Sequence, residues 1–201
     1  MKWLKRIAIV LIGVLLAGIY SYRTWSTAIY DTNVDASVYE NIGELKDGAK
    51  VEQKFICKHN GLESIEITAS NLGYTCDTEY YWELQEVESG NIVSKGTFIG
   101  TEIDNSENTV FDFERQEGSK NKEYVFMIEA KNSDAEHGIT VMKTRTDEEH
   151  QDAVILNGTQ EESVMVLTQK IHYLNVETGI VFMGIYLYLV FFMSFLLKLF
   201  K

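Results

Sequence analysis

Proline is missing from this 201-residue chain altogether, so its turns must rest on Gly, Asn, Asp and Ser. Cysteine is nearly missing too, with only Cys57 and Cys76. Two cysteines 19 positions apart, without nearby histidine pairs, lack the spacing of a zinc site. Basic residues are scarce: 18 Lys and Arg face 30 Asp and Glu, a net charge of −12. All the acidic residues fall between Asp31 and Glu177, so that interval carries −18. Such a surface repels phosphate backbones, which sets nucleic-acid binding aside. There is no G-x-S-x-G elbow, H-E-x-x-H helix, phosphate loop or dinucleotide fingerprint. The four histidines, His59, His137, His150 and His172, are scattered over turns and strand ends. Nothing in this inventory forms a catalytic set, and the expectation is a protein that is not an enzyme and needs no cofactor.

The ends of the chain are apolar. "GIVFMGIYLYLVFFMSFLL", residues 179–197, holds 19 residues without a charge and is followed by Lys198 and Lys201. That length crosses a hydrocarbon core. At the other end Lys2, Lys5 and Arg6 precede "IAIVLIGVLLAGIY", residues 7–20. This fits either a secretory signal, with Ser26 and Ala28 as the cleavage site, or an uncleaved anchor. Tyr20, Tyr22, Arg23 and Trp25 resemble the interfacial flank of a retained helix and favour the anchor. The basic residues place both termini in the cytoplasm and the middle of the chain outside it. Gly13 and Ala17 in the first segment permit close helix approach, as do Gly179 and Gly184 in the second. Tyr186 and Tyr188 would lie near mid-membrane, where a hydroxyl is better tolerated against another helix than against lipid. The two segments either pair with each other or meet a membrane partner.

Between the ends the hydrophobic period is two. Val51, Gln53, Phe55 and Cys57 share a face, as do Ile65, Ile67 and Ala69; Tyr80, Trp82 and Leu84; and Tyr124, Phe126 and Ile128. Turn signals such as "KHNGL", "ESGN", "EGSKN" and "LNGTQEE" separate these runs. About eight short strands in one domain predict an antiparallel sandwich. The expected organisation is an N-terminal anchor at 1–23, a membrane-proximal stalk at 24–43 with a short helical turn near Asp35, a β-sandwich at 44–175, and a C-terminal transmembrane helix with a basic tail at 176–201.

The order of features is also similar to a known family. "GELKDGAKVEQKF" reads as G-E-L-x-x-G-x-x-(I/V)-x-Q-x-F, and "IDNSENTVFDF" contains D-N-x-x-x-x-x-F-x-F. "EGSKNKEYVFMIEA" and the closing "DAVILNG" follow in the same order. The chain resembles the extracytoplasmic jelly-roll domain of bacterial membrane proteins that assemble cell-surface polysaccharide. The resemblance covers 44–175. It implies an all-β, jelly-roll-like sandwich held at the bacterial cytoplasmic membrane, near a glycan and a membrane glycosyltransferase, polymerase or exporter. Where relatives carry a Tyr-Gly-Arg-like turn, this chain has "NLGYTC", residues 71–76.

Sugar rings stack on exposed aromatics, so Tyr74 and Tyr81 are the expected ligand contacts, with Trp82 read as core. Asp147, Glu148, Glu149 and Asp152 in "TDEEHQD" form an oxygen-rich cluster. It reads as a solvated loop or as a structural Ca²⁺ site. In an exported domain Cys57 and Cys76 are a disulfide candidate, the alternative being two unpaired thiols. A non-catalytic, membrane-anchored glycan-binding accessory is the leading expectation. A scaffold subunit without a sugar site is the alternative, and an envelope enzyme the third.

Overall fold

The computed structural model describes residues 2–131, 136–146 and 153–200. Helix α1 (Lys2–Ser21) runs directly into strand β1 (Tyr22–Ala28). Strand β2 (Glu40–Asn41) follows a short 3-10 turn, Ala36–Val38, whose Ser37 N–H donates to Asp35 Oδ1 at 2.8 Å. The strands β3 (Lys50–Ile56), β4 (Leu62–Ile67), β5 (Ala69–Ser70), β6 (Glu79–Glu86) and β7 (Ile92–Ile99) come next. They are followed by β8 (Thr109–Gln116), β9 (Glu123–Ala130), β10 (Thr140–Arg145), β11 (Ile155–Leu156) and β12 (Thr159–Gln160). The chain closes with β13 (Ser163–Met165), β14 (Leu167–Leu174) and helix α2 (Val176–Leu199).

The chain forms two compact units, one of residues 1–25 and 172–201 and the other of residues 26–171. The second is an antiparallel β-sandwich. One sheet runs β12-β11-β3-β9-β6-β7, another β1-β14-β4-β8, and a smaller one joins β13-β10-β2, with β5 also on β10. The alternation read from the sequence is the alternation that buries. Val51, Phe55, Tyr80, Leu84, Tyr124, Phe126 and Ile128 face inward from the first sheet, and Leu62, Ile65, Ile67 and Leu167 from the second. Gln53 sits among them as a satisfied polar group, its Oε1 accepting from the Met165 N–H at 2.9 Å and its Nε2 donating to the Lys54 carbonyl. Buried amides of this kind are tolerated only when paired. At the β11–β12 hairpin Asn157 and Gly158 both have positive φ, 51° and 79°, the turn an Asn-Gly pair favours.

The segment 24–43 is not the stalk expected of it. Its two isoleucines, Ile29 and Ile42, are buried, and their amides donate to the carbonyls of Leu167 and Val141. Strand β2 pairs with β10 through Asn41↔Met142. Burying two large apolar side chains outweighs leaving the segment extended.

The first unit holds the helices. Among the described residues only Val176–Leu199 is long and apolar enough to cross a membrane; the apolar part of α1, Ile7–Ser21, is shorter. Length and composition thus single out one span rather than the two expected. The helices pack on each other. The Tyr186 ring lies against Gly13, and its hydroxyl donates to the Ile9 carbonyl at 2.8 Å. Tyr20 stacks on Phe182 with centroids 5.0 Å apart. A side chain on Gly13 would collide with the Tyr186 ring, so this small residue serves the pairing of the two helices.

Candidate functional site

The two tyrosines singled out from the sequence occupy separate surfaces. Tyr74 lies in the loop after β5 and rests flat on the His137 imidazole, with centroids 3.9 Å apart and planes 9° from parallel. Beneath it Glu44 Oε1 stands 3.7 Å from His137 Nδ1. The Gly138 N–H, with Lys46 beside it, holds the Glu44 carboxyl below the usual carboxylate range. Tyr81 projects from the other face of β6 to that of Tyr80 and Trp82, flanked in register by Glu129 and Thr97. Its hydroxyl donates to Glu83, which pushes the phenol up to about 12, and Lys131 Nζ lies 5.4 Å from its ring centroid. Asp147, Glu148, Glu149 and Asp152 lie outside the described residues. Among the described residues no group of three or more His, Cys, Asp and Glu is placed to hold a metal ion.

The disulfide expectation is corrected. Cys57 and Cys76 are both buried free thiols. Cys57 follows β3 at the start of β9, where its carbonyl accepts from the Asn121 N–H and its thiol donates to the His59 carbonyl. Cys76 precedes β6 at the far end of β9, with its sulfur 3.5 Å from the Tyr80 hydroxyl and Tyr80 opposite Ala130. The eight residues of β9 lie between them, a span of about 25 Å. A bridge requires Cα atoms within about 7 Å. Burial pushes the Cys57 thiol up, which also makes it a poor nucleophile.

The most site-like feature is a depression of about 470 Å³ where β7 and β8, the end strands of their sheets, face each other. Its floor is aromatic: Trp82 from β6, Phe98 from β7 and Phe111 from β8. Phe111 centres a cluster, 5.1 Å from Trp82, 5.7 Å from Phe98 and 5.1 Å from Phe126. Trp82 is only 9% exposed, and its indole N–H has no hydrogen-bond partner among the described residues. The ring lies across Gly96, where a Cβ would come within 2.7 Å of Nε1.

The rim is polar, and three of its residues are fixed. Glu102, Asp104, Glu107, Asn108 and Asp112 line it. Glu102 accepts from the Ile99 N–H at 2.9 Å. The hydroxyl and N–H of Ser106 both donate to Asp104 and hold its carboxyl below the usual range. Asn108 accepts from Thr68 and donates to Glu66. Asn71 and Asn105 exchange hydrogen bonds, tying the "NLGYTC" loop to the rim loop. A second depression of about 340 Å³ shares Phe98 and Glu102 with it and is lined also by Asp77, Glu79, Thr97 and Ile99.

A larger hollow of about 550 Å³ lies between Val34, Val38 and β10. It has no aromatic lining, and its Lys143 and Glu161 pair with each other. It therefore offers less to a ligand than the seam of β7 and β8. The sequence pointed to Trp82 only as core. Phe98 and Glu102 went unmarked, and Asp104 and Phe111 entered only as parts of a family motif, because only strand pairing brings residues 82, 98 and 111 together.

No protein-family profile matches the chain, and no curated protein matches it in sequence. Among solved structures the chain is similar to the cysteine protease and lectin-like domains of Cwp84, a surface layer associated protein of Clostridium difficile. The identity is 9% and the TM-score 0.43, with 69% of this chain and 36% of that chain covered. It also matches the structure of infectious bursal disease virus, Gt strain, at 9% identity and TM-score 0.20, covering 76% of this chain and 38% of that one. The chain thus spans little more than a third of the solved chains it matches.

Proposed function

We propose that this chain is a non-catalytic, membrane-anchored protein of the bacterial envelope whose β-sandwich binds glycan outside the cytoplasmic membrane, as an accessory to polysaccharide assembly or export. The observation that carries the reading is the seam. The rings of Trp82 and Phe98, inclined to Phe111 by 52° and 61°, offer with it apolar surface to the C–H groups of a pyranose. A rim of carboxylates and one amide supplies acceptors and a donor for its hydroxyls. Glu102, Asp104 and Asn108 of the rim are held by hydrogen bonds within the protein, so little order is lost at these positions on binding. Helix α2 anchors the domain, and α1 packs beside it. The Tyr186–Ile9 hydrogen bond supports that pairing by removing a hydroxyl from lipid. The test is titration of the full-length protein in detergent micelles with envelope oligosaccharides. Saturable binding that is lost in Trp82→Ala and Phe98→Ala but kept in Tyr81→Ala supports the seam. Binding lost in Tyr74→Ala or Tyr81→Ala instead would return the site to those tyrosines.

A second reading, a scaffold subunit with no sugar site, rests on Tyr188. This residue is 66% exposed near the middle of α2, one turn from Gly184, which has open space around it. A hydroxyl at that depth is better accommodated by a second membrane protein than by lipid. A stoichiometric glycosyltransferase, polymerase or exporter that co-purifies in mild detergent, and is released by Tyr188→Phe, would favour it.

A further inference from the structure

The seam gathers carboxylates that lack basic partners. Some carboxylates elsewhere in the sandwich have them, Glu44 with Lys46, Glu52 with Lys50, Glu66 with Lys170, Glu86 with Lys122, and Glu161 with Lys143, while others on the open surface, Glu88 and Glu162 among them, have none among the described residues. Among the described residues none of Asp77, Glu79, Glu102, Asp104, Glu107 and Asp112 takes part in an ion pair. These are the carboxylates of the two adjoining depressions, and neither depression has a Lys, Arg or His in its lining. Four negative charges, those of Glu102, Asp104, Glu107 and Asp112, therefore line the aromatic depression with no positive charge among them. Two hydrogen bonds from Ser106 keep Asp104 ionised. Carboxylates gathered without a cation repel one another, and a bound positive group relieves that cost. Aromatic faces attract the same sign of charge.

We propose that the seam binds a polycationic glycan, an amino-sugar polymer whose amines are free rather than acetylated, with its rings on Trp82, Phe98 and Phe111 and its ammonium groups on the rim carboxylates. This rests on the glycan reading above and narrows it to one chemical class. Two features favour sugar rings over a linear amine. The depression is lined by three aromatic rings against which C–H groups pack. The Trp82 indole N–H, nine-tenths buried and without an acceptor, offers a donor to a ring hydroxyl. A fully acetylated polymer would place neutral amides against the carboxylates and gain none of the charge pairing.

The experiment compares three hexamers at pH 6 on the full-length protein in detergent micelles: a glucosamine oligomer, its N-acetylated counterpart and a neutral glucose oligomer. Spermine and tetralysine serve as cations without sugar rings. The glucosamine hexamer is expected to bind about tenfold or more tighter than every other probe. Glu107→Gln with Asp112→Asn is expected to erase most of that margin. Neither side chain has a hydrogen bond or ion pair among the described residues, so folding is not at stake. The charge-matched control, Glu88→Gln with Glu162→Gln on exposed positions away from the seam, is expected to leave the affinity unchanged. Equal or tighter binding of the acetylated or neutral hexamer would overturn the amine requirement and leave the glycan reading standing. Spermine or tetralysine binding as tightly as the sugar, or an equal loss in the control, would reduce the effect to bulk charge and overturn the proposal. If no hexamer binds, both this proposal and the glycan reading fall.

Discussion

Tyr80 and Trp82 stand two residues apart on one inward face of β6, yet their polar atoms meet opposite fates. The Tyr80 hydroxyl donates to the Leu45 carbonyl and accepts from the Ile139 N–H, both at 2.8 Å, and so ties in the Leu45↔Ile139 bridge. Burial pushes that phenol well up, as it should for a hydroxyl serving only as a structural hydrogen-bonding group. Trp82, two residues on, buries its ring against Phe111 and Phe126 but leaves its N–H without a partner. The first environment is closed by protein on every polar valence. The second is closed only on its apolar side, and it opens where two sheet edges meet. Burial alone does not separate core from site along this strand. Satisfaction of the polar atom does.

The largest expected effect lies at the closed end. Tyr80→Phe strands a buried carbonyl and a buried N–H together and should cost about 2–4 kcal/mol, read from the urea midpoint. Gly96→Ala should cost about 1–3 kcal/mol, because the new methyl meets the Trp82 indole and forces the ring to move. Trp82→Phe should lower stability by only about 1 kcal/mol while weakening oligosaccharide binding. If it destabilised the fold as much as Tyr80→Phe, the contrast between the two positions would be broken.

The remaining effects are smaller and sharpen the account of the sandwich. A 19-residue disulfide loop would contribute about 3 kcal/mol, so reductant should leave the melting temperature unchanged if both thiols are free. A fall in melting temperature would restore the bridge. His59 supplies a pH dependence. Burial, then Lys120 and Lys58, lower its pKa from the ordinary value of about 6.5. Between its folded and unfolded pKa values the unfolded chain binds more protons. Its contribution is thus fully present above about pH 6.5 and is lost as pH falls toward the lowered value. His59→Gln should flatten that part of the stability profile, a pH dependence measured by urea titrations.

Much of the sandwich was legible because period-two alternation is local. Val51, Phe55, Tyr80 and Phe126 could each be assigned a face from their immediate neighbours. The helix pairing was half legible: Gly13 and Tyr186 were both marked, but their meeting depends on residues 173 positions apart. Two readings failed for the same reason. Cys57 and Cys76 are near in sequence, yet β9 carries them to opposite ends of a sheet. Ile29 and Ile42 belonged to a segment without periodicity, and only their partners Leu167 and Val141 reveal that they are buried. The seam was hidden more deeply. Its floor joins strands from two sheets, and "IDNSENTVFDF" marked part of it only as a family motif.

The seam is a binding site only if Trp82 meets a ligand. The chain has three tryptophans, Trp3, Trp25 and Trp82, whose indole N–H groups give three distinguishable signals in a nitrogen-correlated proton spectrum. On titration of the full-length protein with the glucosamine hexamer, the Trp82 signal should move saturably while those of Trp3 and Trp25 stay in place. A Trp82 signal that does not move, or three signals that drift together, would contradict the claim that the seam is a binding site.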